Sequence, residues 1–253
     1  MLDPVFEIIA STEWDMLLIG SLAVLVGSIV QGASGLGLGM VAAPVLILID
    51  PRFVPGPLLM LSFAVSSMMV WREYRRVDVR GLCFALTGRI PGNLLAGMTI
   101  AMIPQSVYGI VFGTLVLAAV ALTSSGLKFM PTPRNLFSAG VASGYMGTLT
   151  SVGAPPIALA YQHGAAATIR ATLAAFFMIS SALSILTLHY FGRFDYDESV
   201  FSLLFVAPLA LGFWISNSLV RLMKERHVRY AILGLSGVSS VILILRSTYT
   251  LIN

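Results

Sequence analysis

Charge is almost absent from the long apolar runs of this chain, and that absence constrains its fold more than any motif. Eight such runs fall at 16–49, 54–71, 81–103, 105–122, 135–163, 171–190, 199–220 and 230–249 of the 253 residues. Charged residues make up 10% of the chain and apolar ones 57%, against about 25% and 45–50% in soluble domains. A water-soluble globule with so few charges could not cover its own surface, so the chain is read as an integral membrane protein. Runs this long, and this rich in Gly and Pro, read as membrane helices, whose interrupted backbone bonds neighbouring helices can satisfy. Transmembrane strands would alternate apolar and polar residues, which these runs do not. The expected class is therefore all-α, a single membrane domain over 1–253. Cys83 stands alone in an apolar run, so an intrachain disulfide and a cysteine metal cluster are excluded, and neither metal nor cofactor is implied. Residues 1–15 carry Asp3, Glu7, Glu13 and Asp15 with no Lys or Arg, unlike the basic start of a signal peptide. The mature chain is expected to begin there. The net charge of +4 sits mostly in two short loops, which argues against a nucleic-acid partner.

Runs one and five are too long for one crossing and too short for two. As straight helices they would reach about 45–50 Å at 1.5 Å per residue, against a hydrocarbon core of about 30 Å. Each also breaks at its middle, at Gln31-Gly32-Ala33-Ser34-Gly35-Leu36-Gly37-Leu38-Gly39 before Pro44, and at Ser143 to Gly153 before Pro155-Pro156. A shift of 112 places Gly32 on Gly144, Gly35 on Gly147 and Pro44 on Pro156, and Pro91 and Pro208 continue the repeat at a slightly different offset. Basic residues crowd the loops 72–80 (Arg72, Arg75, Arg76, Arg80) and 221–229 (Arg221, Lys224, Arg226, Arg229), which are not equivalent in the two halves. The acidic loop 191–198 pairs with the first of these. By the positive-inside rule the halves point in opposite directions across the membrane, as in many secondary transporters. The expected repeats are about 16–122 and 135–250. Each comprises a Gly/Pro-broken, re-entrant hairpin plus three transmembrane helices; the rival is a pair of kinked full spans.

Proline is at home in the first turn of a helix, so Pro44 and Pro155-Pro156 are read as starts of half-helices over about 44–50 and 156–163. Their N-termini would point inward with free N–H groups and partial positive charge, a site for an anion. Gln31, Ser34, Gly35, Gly37 and Gly39 from the first break would line it, with Thr148, Thr150, Ser151 and Gly153 from the second. The bland alternative is that these small residues only let helices pack closely. Arg89 lies about nine residues into the third run, roughly 13 Å deep, where an Arg either faces a bundle interior or a cavity or snorkels to the cytoplasmic interface. Asn93 follows one turn later on the same face. Arg170, opening run six, either reports topology or contacts substrate, and Gln31, Ser180 and Asn217 are lining groups or, as such residues more often are, helix–helix hydrogen bonds. No Asp or Glu lies deep in any run, so cation substrates have nothing to balance their charge.

These features together resemble the sulfite exporter TauE/SafE family of small membrane permeases. The resemblance spans about residues 17–250. It rests on the duplicated Gly-rich hairpin followed by Pro, on Arg170-Ala171-Thr172-Leu173-Ala174-Ala175-Phe176-Phe177, and on Ile90-Pro91-Gly92 with Gly97, echoed by Ala207-Pro208 with Gly212. It implies a multi-pass bacterial inner-membrane transporter, not an enzyme, that exports sulfite or organosulfonates such as sulfoacetate. The implied partners are a small anion and membrane lipid, with a homodimer left open. Thr148-Leu149-Thr150-Ser151 stands where other members carry a Gly-rich run. A competing class is a rhomboid-like intramembrane serine protease, with Ser34 of Gly32-Ala33-Ser34-Gly35 as nucleophile and His189 of His189-Tyr190-Phe191-Gly192 as base. That reading leaves the repeat unexplained.

Overall fold

The computed structural model describes residues 14–127, 129–162, 164–219 and 225–252, with the backbone alone for 219, 225–229 and 231. The expectations about Asp3, Glu7, Glu13, Arg221, Lys224 and the side chains of Arg226 and Arg229 lie outside these residues. All the regular structure described is helical: α1 (Trp14–Ser34), α2 (Leu38–Ile49), α3 (Gly56–Glu73), α4 (Val79–Met102), α5 (Gln105–Ser124), α6 (Pro133–Thr150), α7 (Ala154–Tyr161), α8 (Ala166–Tyr190), α9 (Tyr196–Ser202), α10 (Val206–Leu219) and α11 (Glu225–Ile252). A 3₁₀ turn, Leu203–Phe205, joins α9 to α10. Among the described residues, six helical stretches are long and apolar enough to cross a membrane.

The outer surface fits that solvent. Leu18, Leu22, Leu94, Met98, Leu186 and Leu245 are exposed, as apolar side chains facing lipid must be. Exposed aromatics gather at the helix ends: Trp14, Tyr190, Tyr196 and Tyr249 at one end of the bundle, Trp71, Tyr74 and Tyr230 at the other. Amphipathic rings favour the two membrane–water interfaces. The chain is a multi-pass membrane protein.

Runs one and five each reverse direction at their Gly-rich break. A β-carbon on Gly27 would meet Leu38, and one on Gly20 would meet Leu46, so α2 returns antiparallel along α1. In the second hairpin Ser143 Oγ of α6 donates to the Gly153 carbonyl at 2.6 Å, just before α7. The breaks share one construction. Gly35 and Ser151 both take positive φ, 85° and 61°. Their N–H groups bond the carbonyls of Gln31 and Gly147. Ser34 and Thr150 hydroxyls donate four residues back, to Val30 and Met146, and accept from the N–H of Leu36 and Val152. Every one of these pairs is related by 116, not by the 112 that sequence matching selects. The two registers differ by four residues, close to one helical turn, so both place small residues on the same face.

The first half-helix also begins earlier than its proline suggests. It starts at Leu38 and carries Pro44 inside, whereas Pro155 and Pro156 do sit in the first turn of α7. Proline tolerates the interior here because the Met40 carbonyl, which loses its N–H partner at residue 44, accepts instead from Ser236 Oγ of α11. Arg246 Nη1 donates to the Leu48 carbonyl at the far end of α2.

Helix packing is exchanged between the halves. α4 packs on α6 and α10 on α1, while α3 packs on α8 and α5 on α11. Matching α1 with α6, α3 with α8, α4 with α10 and α5 with α11 swaps the first two pairs and maps the other two onto themselves. Along α8, Arg170 Nε donates to both Glu73 carboxylate oxygens at 2.9 Å, and His189 Nδ1 bonds the Phe194 carbonyl at 2.9 Å. Nineteen residues of helix, about 28 Å, therefore separate the 73–78 loop from the 191–195 loop. Arg72 Nη1 donates to Asn217 Oδ1, which puts the end of α10 beside the first of these loops.

Candidate functional site

Glycine brings α4 and α6 together more closely than side chains would permit. A β-carbon on Gly88 would lie 2.0 Å from the Phe137 carbonyl oxygen, and one on Gly92 would lie 2.2 Å from that of Val141. In return, Gly140 faces the Ala85 carbonyl at 2.0 Å and Gly144 that of Arg89 at 2.7 Å. Two small-xxx-small pairs thus interlock, and the packing role suggested for Gly144 is the one it has. The consequence is chemical. Arg89, on the seam, is pressed into the second hairpin and only 2% exposed.

The Arg89 guanidinium is held by neutral oxygens. Nη1 donates to the Ser143 carbonyl at 3.1 Å and to Ser143 Oγ at 2.9 Å, and Nη2 donates to Ser184 Oγ at 2.9 Å. The Phe176 ring lies beneath it, 5.4 Å from centroid to Cζ. Thr148 Oγ1 and Ser184 Oγ are 2.8 Å apart. The Asn93 amide nitrogen faces the Arg89 carbonyl and Thr148 Oγ1 at 3.3 and 3.1 Å, while its oxygen accepts from Ser184 N at 3.3 Å. Among the described residues no carboxylate pairs with Arg89. A buried charge without a counter-charge costs several kcal/mol, and an arriving anion would offset that cost. Guanidinium carries five N–H donors; three hydrogen bonds leave two for an anion.

The remaining sequence candidates divide into three places. Gly39 meets Ser151, where the first turn of α2 touches the tip of the second hairpin; Ser151 Oγ donates to the Pro55 carbonyl at 3.0 Å. Gly35 packs on the backbone of Arg170, whose guanidinium is taken by Glu73. Gln31 donates to Ser66 Oγ at 3.0 Å and accepts from Leu38 N at 3.2 Å, so its side chain occupies one of the N–H groups expected to be free. Gly37 takes φ 139° and is the residue before α2. Ser34 and Thr150 spend their hydroxyls inside the breaks, and in α7 Pro155 and Pro156 remove two more N–H donors. Only Arg89, Asn93, Thr148 and, through Ser143, Gly153 converge. Sequence reasoning missed Ser143, Ser184 and the Phe176 ring as site residues. The one sequence signal for the last two was their spacing, Phe176, Ser180 and Ser184 at i, i+4 and i+8.

A pocket of about 280 Å³ opens at the other end of the bundle, lined by residues including Arg52, Pro55, Ile100, Tyr108, Arg193 and Glu198. Tyr108 Oη donates to the Leu149 carbonyl at 2.7 Å, so the last turn of α6 stands between this pocket and Thr148. On the opposite flank of Arg89, Leu82, Leu136, Ile157, Leu173 and Phe176 form one buried apolar cluster.

The protease reading fails on geometry. Ser34 adjoins Gly35, which packs on Arg170, whereas His189 lies nineteen residues along α8 from Arg170, about 28 Å away. No general base reaches that hydroxyl from there.

The profile described as sulfite exporter TauE/SafE matches residues 19–243. The chain belongs to this family. It is a membrane transporter family for sulfite and related sulfur anions. No curated protein and no solved structure matches the chain. In this TauE/SafE-family protein the Gly-rich hairpins and the Arg170 segment that carried the resemblance all fall inside the matched span.

Proposed function

We propose that this TauE/SafE-family protein exports small sulfur oxyanions, sulfite or organosulfonates such as sulfoacetate, across a bacterial inner membrane by alternating access, with no catalytic step. The observation that carries the reading is the Arg89 guanidinium, buried in the bundle among neutral donors and acceptors, with no carboxylate beside it among the described residues. An acceptor-only anion suits such a site, because charge-assisted hydrogen bonds from a planar fork match the oxygens of a sulfonate. Arg89, Asn93 and Thr148 hold the anion, and the tip of the second hairpin bounds it on the outer side. Inverted repeats over about 16–122 and 135–250 fit the exchanged helix packing, and re-entrant hairpins fit the chain reversals at Gly35 and Ser151. The basic 72–80 loop is then cytoplasmic and 191–198 lies outside. The tip of the second hairpin closes the outer route, and the Leu82–Phe176 cluster closes the inner one. The partners on this reading are the anion and membrane lipid.

Purified protein titrated with sulfite, several sulfonates, sulfate and carboxylates tests it. Sulfite or a sulfonate binds the wild type, and Arg89→Ala abolishes that binding while the thermal transition persists. Undiminished binding by a folded Arg89→Ala protein would place the anion elsewhere.

A further inference from the structure

Among the described residues, one buried side-chain oxygen or nitrogen has no hydrogen-bond partner: Ser180 Oγ. The residue is fully buried in α8. A serine hydroxyl in a helix readily bonds the carbonyl four residues back, as Thr187 does to Leu183, or a neighbouring helix, as Ser28 does to Leu209. Ser180 does neither. Leaving a buried hydroxyl unpaired costs free energy, and each such exception calls for an explanation.

Its position says which function. Phe176, Ser180 and Ser184 lie four residues apart on one face of α8, and Arg89 touches the residues on both sides of Ser180, stacking on Phe176 and donating to Ser184 Oγ. We propose that Ser180 donates a hydrogen bond to the third oxygen of a three-oxygen anion seated on Arg89, and so selects sulfonate or sulfite over carboxylate. The inference rests on Arg89 being the anion site. Two N–H groups of the guanidinium satisfy two oxygens of either ligand. A carboxylate has no third oxygen, so Ser180 stays unpaired beside it. The pyramidal sulfur group projects its third oxygen out of the guanidinium plane, where a hydroxyl on α8 meets it. A site with a buried donor discriminates against the ligand that leaves that donor unpaired.

Methanesulfonate and acetate share a methyl group and differ in oxygen number, and they are the probes. Calorimetric titration of the full chain in detergent compares wild type with Ser180→Ala. The expected result is a roughly tenfold loss of methanesulfonate affinity, the size of one hydrogen bond to a charged group, with acetate affinity unchanged. Without ligand the variant melts no lower than wild type, because no hydrogen bond is removed. Equal methanesulfonate affinity in the two proteins, or equal losses for both ligands, overturns the role of Ser180 while leaving the Arg89 site standing. Failure of the wild type to bind any sulfonate or sulfite overturns the site itself.

Discussion

Gly39 sits so close to Ser151 that a β-carbon on it would stand 2.0 Å from the Ser151 carbonyl oxygen. This is where the two hairpins touch, backbone against backbone. Gly39→Ala forces that backbone apart, because no flexible side chain is available to yield. A loss of about 1–3 kcal/mol is expected, the range for overpacking a tight contact, read as a lower thermal midpoint in detergent. A variant as stable as wild type would mean that the hairpins do not meet here.

Ser151 combines two opposed contributions. Its φ of 61° is costly for a residue with a β-carbon, while its hydroxyl bonds the Pro55 carbonyl. Ser151→Ala keeps the strain and loses the bond, for about 1 kcal/mol of destabilisation. Ser151→Gly loses the bond but relieves the strain, and ends within about 0.5 kcal/mol of wild type. Chemical denaturation of the two variants should rank Gly above Ala; the reverse order would remove the left-handed turn from the account.

Arg89→Lys keeps the charge but replaces a planar five-donor fork with a compact ammonium. The lysine cannot bond Ser143 and Ser184 together from one planar group. Sulfonate affinity should fall by about tenfold or more while remaining measurable, intermediate between wild type and Arg89→Ala. Full affinity in Arg89→Lys would show that charge alone suffices.

Ser236 and Pro44 form a compensating pair. Ser236→Ala leaves the Met40 carbonyl without a donor and should cost about 1 kcal/mol. In a Pro44→Ala background the helix supplies its own N–H at residue 44, so the same Ser236→Ala change should cost little. A double-mutant cycle measures the coupling, and strict additivity would dissolve the pairing.

Loop sidedness is checked with single cysteines at Tyr74 and Gly192, both exposed, in a Cys83→Ser background. A membrane-impermeant thiol reagent added outside intact cells should label Gly192→Cys and spare Tyr74→Cys. Labelling of both from one side would contradict opposed halves.

The sequence alone determined the solvent, the helical class, the location of both chain breaks and the Arg89–Asn93 pair, because each rests on local composition or on a spacing within one helix. It set the repeat register at 112, because Gly32, Gly35 and Pro44 fall there on Gly144, Gly147 and Pro156. With 3.6 residues per turn, a slip of four residues presents the same small-residue face, and the left-handed residues Gly35 and Ser151 align only at 116. It also misplaced the start of α2, since nothing local reveals that Ser236, nearly two hundred residues away, supplies the bond that lets Pro44 sit inside a helix. The tertiary structure decided the content of the site. The partners of Arg89 come from α6 and α8, 54 and 95 residues along the chain, and only the glycine seam between α4 and α6 brings Ser143 within reach of the guanidinium. Helical periodicity is a property of neighbours, whereas the company a buried charge keeps is set by which helices pack.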